Sequence, residues 1–142
     1  CSAFSLNVAR TSTAALAVRN GTLFFVLRKP GGALSECWEL PGGKVDAGET
    51  PQQALGRELE EELGVAADVR EEIGRCSFSH GPEAFELVAF RVEGAFHAAI
   101  LREHQDSAWM SLAQALSLEN LAPSDRTLLE NLNETGELDW LR

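Results

Sequence analysis

Apolar positions along the chain follow two different periods. TSTAALAVR (11–19) and TLFFVLRK (22–29) are nearly continuous runs of apolar and β-branched residues. They predict two strands, and Asn20-Gly21 between them is the dipeptide of a tight antiparallel hairpin. PGGALSEC (30–37) reads as a loop, and Trp38-Glu39-Leu40 as a short extended piece leading into Pro41-Gly42-Gly43. The period then lengthens. Leu55, Leu59 and Leu63 recur every four residues, which makes one stripe of a helix. Thr50 suits its N-cap, Pro51 its first helical position, Gln53 completes a capping box, and Gly64 is placed to end it. Two more strands, VAADVREEIGRCSFS and AFELVAFRVEG, are expected on either side of a turn at His80-Gly81-Pro82. AWMSL reads as short and extended, SLAQALSLE as a weak helix, and APSDRTLLENLNE as a firmer one starting near Pro123 or Ser124. Hairpins without regular βα alternation predict an α/β fold, a mixed sheet with helices on both faces.

The length of 142 residues fits one domain over 1–142, with no repeat or linker to divide it. The composition is that of a chain able to bury a core. The net charge of -10 disfavours non-specific binding to polymeric nucleic acid. A small anionic ligand remains compatible with that charge if cations sit between it and the acids. Cys1, Cys37 and Cys76 form neither a disulfide framework nor a CxxC zinc pair, so reduced thiols and a cytoplasmic location are expected. No apolar run approaches the ~18 residues of a membrane span, and no signal-peptide pattern is visible. The start at Cys1 rather than Met reads as trimmed, and a lipid on that cysteine is not expected. A monomer or homodimer is expected.

The densest chemistry lies on the helix. Each residue advances about 100°, so Glu58, Glu61 and Glu62, at i, i+3 and i+4, share one face beside the leucine stripe. Glu60 points away from them. Three carboxylates this close repel one another. Hard divalent cations such as Mg²⁺ and Mn²⁺ resolve the conflict, and Arg57 can hold one carboxylate by a charged hydrogen bond. From the run alone, a wet acidic face is an equally simple account.

The spacing around the run narrows the choice. Gly43, five residues, Glu49, seven residues, then Arg57-Glu58-Leu59-Glu60-Glu61-Glu62-Leu63-Gly64-Val65 resembles the Nudix box, with every fixed position met. The resemblance implies a Nudix-type α/β/α sandwich that hydrolyses a nucleoside diphosphate linked to another group, using Mg²⁺ or Mn²⁺. By the same resemblance Glu58, Glu61 and Glu62 are metal ligands, and one of them also positions or deprotonates the attacking water. Arg57 orients Glu58, Glu49 supports the loop–helix unit or binds metal through water, and the Gly43 carbonyl is a further ligand.

The flanks WELPGGK, REHQDSAWMSL and LAPSDRTLLENL resemble the MutT and CTP pyrophosphohydrolase branch, extending the likeness from about Ala14 to Leu132. That branch implies water attack at the β-phosphorus of a free nucleoside triphosphate, of the CTP/dCTP or 8-oxo-dGTP type. The products are a monophosphate and pyrophosphate, and the role is nucleotide pool sanitation. Glu103 falls where a separate loop completes the metal site; otherwise it is a surface acid. Asp125 falls where the branch places an Asn or Asp that reads the base edge. Its acceptor chemistry suits an amine such as cytosine N4, and helix capping is the rival account. Arg28 is a candidate for phosphate contact, or an exposed edge charge. Phe78, Phe85, Phe90 and Trp38 are base stackers or core. His104 and His80 read as loop and turn residues, and His97 has no evident role. The alternatives are a nucleotide sugar, dinucleoside polyphosphate or RNA 5′-end hydrolase, and a binding module without catalysis. The acidity disfavours RNA, and the intact glutamates disfavour the binding module.

Overall fold

A computed structural model gives the structure of residues 10–80 and 82–141. The expectations for Cys1, and for Gly81 within the 80–82 turn, lie outside the described residues. β1 (Arg10–Arg19) and β2 (Thr22–Arg28) form the expected hairpin. Its turn residues Asn20 and Gly21 both have positive φ, at 51° and 74°, the twist that two-residue hairpins favour. The pairing stops after Val18↔Leu23. Beyond it the strands part, and the segment from Trp38 to Val45 fills the gap.

That segment changes partner as it runs. β3 (Trp38–Glu39) pairs with β2. Then the Pro41 and Gly43 carbonyls accept from the N–H groups of Ala15 and Thr13 on β1, and Val45 N–H donates to the Thr11 carbonyl. On its other edge β2 carries β6 (His104–Met110), antiparallel from Leu23↔Met110 to Arg28↔His104 with a register shift at the end. β1 pairs in parallel with β5 (Glu83–Glu93), which pairs in turn with β4 (Asp68–His80). His80 therefore ends β4, opposite Glu83, rather than standing in the turn. β6 begins four residues before the expected AWMSL stretch. The polar His104-Gln105-Asp106 does not look like a strand, and β2 recruits it through backbone pairing.

Three helices cover the sheet: α1 (Pro51–Leu63), α2 (Leu112–Leu116) and α3 (Pro123–Glu134). α1 has every predicted cap. Thr50 accepts from Gln53 N–H, Gln53 completes the box, Pro51 leads, and Gly64 closes it in the left-handed conformation. Side-chain alternation along the strands divides the core in two. Ala15, Ala17, Phe24, Val26, Val88 and Phe90 face Leu55, Leu59 and Leu63 of α1. Ala14, Leu16, Leu23, Phe25, Leu87 and Ala89 face Leu128, Leu129 and Leu132 of α3. The central strands read as unbroken apolar runs because both of their faces are buried. The result is the expected α/β/α sandwich with a mixed sheet. No helix among the described residues is long and apolar enough to cross a membrane.

β4 lies at one end of the strand order. Two register shifts interrupt it at Val69–Gly74, and ion pairs from Arg70 and Arg75 line it. Bulges and charge of this kind blunt an open edge against pairing with another strand.

The leucine stripe, not the acids beside it, anchors α1. Leu59 is 1% exposed, and Leu59→Ala should lower the unfolding free energy by about 2–5 kcal/mol. Glu60→Ala, one residue on but exposed, should change it by less than about 0.5 kcal/mol. Urea titrations followed by tryptophan fluorescence would compare the two, and equal losses would contradict this division.

Candidate active site

The loop before α1 is held by two close backbone approaches. Thr13 donates to the Gly43 carbonyl from its N–H at 2.8 Å and from its hydroxyl at 3.0 Å. A Cβ on Gly42 would stand 2.0 Å from the Thr13 carbonyl oxygen, and one on Gly43 would stand 2.4 Å from the Glu58 carboxyl carbon. The glycine pair thus lets the loop lie against β1 on one side and against the α1 carboxylate on the other. The Gly43 carbonyl is occupied by the two Thr13 donors, which fill its two acceptor positions. Gly43 itself lines the cleft, and its missing Cβ leaves clearance for Glu58.

Arg57 is the hub of the carboxylates. Its guanidinium grips Glu49 with two bonds, Nε to Oε2 at 2.7 Å and Nη2 to Oε1 at 2.9 Å. Nη1 donates to Glu58 at 2.8 Å and to Glu61 at 3.2 Å. Nη2 also reaches the Lys44 carbonyl at 3.1 Å and Asp46 at 3.3 Å. Glu49 in turn accepts from Asp46 N–H at 2.9 Å. The Arg57 hydrogen bond, followed by that of Asp46, holds the Glu49 carboxyl down to about 2. Its partners push the Arg57 guanidinium still higher than usual.

Glu62 has the opposite environment. Burial first, then its hydrogen bond to Glu58 and the charges of Glu58, Glu39 and Glu103, raise its carboxyl far above the usual range. Glu61 is exposed and turned toward Arg57. Glu103, also exposed, lies on the loop before β6. Among the described residues no three acids converge into a finished cage. The donor set nevertheless suits a hard divalent cation, because it is all carboxylate oxygen and its crowding is relieved by positive charge.

One cleft of about 890 Å³ brings these groups together. Glu58, Glu61, Glu62, Glu103, Gly43, Arg28 and Asp125 all line it. Arg57 and Glu49 stand behind the wall. At the far end Asp125, on the first turn of α3, is buried and accepts Leu40 N–H through Oδ2 at 2.8 Å. It does not cap its helix, whose N-cap is Ala122. Burial raises its carboxyl to about 7, against the lowering by Leu40 N–H, and the Glu39 charge adds to the rise.

Between the two ends stands a group that the sequence reading missed. Glu39 Oε2 lies 3.0 Å from His104 Nε2 and 3.4 Å from Arg28 Nη1. A carboxylate only accepts, so Nε2 carries the ring proton. Nδ1 is buried without a hydrogen-bond partner among the described residues. His104, expected in a loop, is a buried strand residue. An acid inside the apolar WEL segment was the available signal for Glu39; nothing in sequence pairs it with His104. The aromatic candidates divide. Phe90 is core, Phe78 and Phe85 stack on each other at 5.3 Å, and Trp38 packs against the α3-side core. None of the four lines the cleft.

The NUDIX domain family model matches residues 9–132. An 8-oxo-dGTP diphosphatase of Haemophilus influenzae is 37% identical over 121 residues, covering 83% of this chain and 88% of the relative. A CTP pyrophosphohydrolase of Escherichia coli is 37% identical over 118 residues, covering 82% and 86%. Among solved structures, the solution structure of the E. coli ORF135 protein superposes with a TM-score of 0.79 at 32% identity, covering 94% of this chain and 93% of that one.

Asp125 carries a pH signature. A carboxyl raised from 3.8 unfolded to about 7 folded binds its extra proton in the folded state. Stability is therefore lost as pH rises through that window and is level above it. Asp125→Asn removes the titration. Its advantage over the parent should be smallest near pH 4, grow to about pH 7, and reach on the order of a few kcal/mol. Thermal melts of both proteins across pH 4–8 check this, and a constant difference would contradict it.

Proposed function

The chain belongs to the NUDIX family, and on that premise we propose that it is a pyrophosphohydrolase of free nucleoside triphosphates, dependent on Mg²⁺ or Mn²⁺. It would release a nucleoside monophosphate and pyrophosphate in nucleotide pool sanitation. The observation that carries the reading is the cleft itself, whose lining joins the α1 carboxylates Glu58, Glu61 and Glu62 with the buried Asp125 of α3. The relatives' names support the same substrate class.

Glu58, Glu61, Glu62 and Glu103 would hold the cation. When bound, the cation neutralises phosphate charge and makes a water nucleophilic at neutral pH. The chain's own residues do the rest. Arg57 keeps Glu58 and Glu61 oriented, and Glu49 with Asp46 ties the preceding loop to the same guanidinium. One of Glu58, Glu61 and Glu62 would position the attacking water or receive its proton. Arg28, now leaning on Glu39, has further donors for phosphate oxygens. Asp125 spends one oxygen on Leu40 N–H, and its other oxygen can accept from a base amine. Cytosine N4 and the 8-oxo-guanine edge both offer one.

The deciding test is a panel of CTP, dCTP, 5-methyl-dCTP, dGTP and 8-oxo-dGTP, with kcat/KM and product identity recorded under Mg²⁺. Pyrophosphate release from the cytosine set or from 8-oxo-dGTP is expected. Release from none of the panel would overturn the substrate class. With the preferred nucleotide, Glu61→Gln and Glu62→Gln should each lower kcat by at least about 100-fold while leaving the melting curve sigmoidal. Near-parental rates in both would remove these carboxylates from the machinery.

A further inference from the structure

The carboxylates of the cleft come from two separate elements, and Arg102 joins them. Glu58, Glu61 and Glu62 ride on α1, whereas Glu103 stands on the loop that enters β6. That loop lies across the C-terminal end of α1. Ile100 N–H donates to the Leu63 carbonyl at 2.8 Å, and Arg102 N–H to the Glu62 carbonyl at 3.1 Å. The Arg102 side chain then donates through Nη1 to the carbonyls of Glu60 at 3.0 Å and Glu61 at 3.1 Å. The Glu60 carbonyl also accepts from the C-cap Gly64 N–H at 2.9 Å, and helix ends leave such last-turn carbonyls open to outside donors. α1 has no basic residue in its last turn, so the guanidinium also brings positive charge to the negative end of the helix dipole. Gly64 makes the seat, since a Cβ there would lie 3.3 Å from Arg102 Nη2.

The clamp therefore fastens the backbone of Glu62 directly to the residue before Glu103. Glu103 is exposed, and its side chain makes no hydrogen bond or ion pair among the described residues. Its position is set by the backbone that carries it. We propose that Arg102 is a positioning residue, which fixes the Glu103 loop on α1 so that Glu62 and Glu103 face one divalent cation. This rests on reading those two acids as cation ligands. Without the clamp, binding the cation would also have to order the loop, at a cost in conformational entropy.

The test is Mn²⁺ binding to the substrate-free protein, read by electron paramagnetic resonance of free Mn²⁺. It would compare the parent with Arg102→Met, Arg102→Lys, Glu103→Gln and the double variant Arg102→Met/Glu103→Gln. Arg102→Met keeps the stem of the side chain and removes its charge and donors. It should weaken binding roughly ten-fold, the scale of an outer-shell partner. Arg102→Lys, which restores the charge and one donor, should recover part of that loss. The double variant should bind no more weakly than Glu103→Gln, because the clamp acts through Glu103. Parental affinity in Arg102→Met beside weak binding in Glu103→Gln would overturn the clamp and leave the ligand reading standing. Parental affinity in Glu103→Gln would overturn the ligand reading itself. Losses that multiply in the double variant would show Arg102 acting independently of Glu103, and would also overturn the proposal. If Arg102→Met does not fold, Arg102→Lys carries the comparison: affinity between that of the parent and that of Glu103→Gln supports the clamp, and parental affinity beside weak binding in Glu103→Gln refutes it.

Discussion

The site hangs on one guanidinium. Arg57 touches Glu49, Glu58, Glu61 and Asp46 and the Lys44 backbone, so a single cation binds the loop at 44–49 to the second half of α1. Two of these acids belong to the loop and two to the helix. Without a positive centre the four would repel, and the loop would have no electrostatic reason to return to the helix it precedes. The planar fork of Arg can serve Glu49 with two bonds while its remaining donor reaches Glu58 and Glu61. A lysine ammonium, with no fixed fork, has no equivalent geometry. Glu62, which Arg57 does not serve, is left crowded: it is half-buried among like charges, and its raised affinity for a proton marks where positive charge is still lacking.

The rest of the fold presents this cluster. The sheet is apolar on both faces, so α1 can bury a leucine stripe completely while its neighbouring face of acids stays at the rim. α3, on the opposite face, supplies Asp125 at its first turn. The two helices never need to meet. What joins their contributions is the segment that leaves β2 and joins β1, since Leu40 receives Asp125 and Gly43 receives Glu58. Stability and function separate accordingly: leucines hold the layers, and backbone groups of the strip hold the acids in place.

Most of α1 was legible in the sequence because its signals are local. Thr50, Pro51, Gln53 and Gly64 act within a turn of themselves, and the spacing of Glu58, Glu61 and Glu62 is fixed by helix geometry. The hairpin at Asn20-Gly21 was legible for the same reason. The failures are all long-range. His104 is polar and lies in a polar stretch, and it becomes a strand residue because β2 offers it an edge. Glu39 and His104 are 65 residues apart and meet through that pairing. The Arg102 contact likewise depends on a loop folding back across 41 residues. No local pattern encodes such meetings; they follow from the register of the sheet.

The strip between Leu40 and Gly43 also behaves as a ruler. Its Pro41 and Gly43 carbonyls are pinned to β1, so its length is set by the sheet. One mark on this scale is the acid fixed at Leu40, the other the acid resting on Gly43. A molecule bridging both marks must match a length that the backbone has already set. Reach is thus fixed separately from chemistry: exchanging the side chain at either mark would change the group presented there, while the distance between the two marks stays the same.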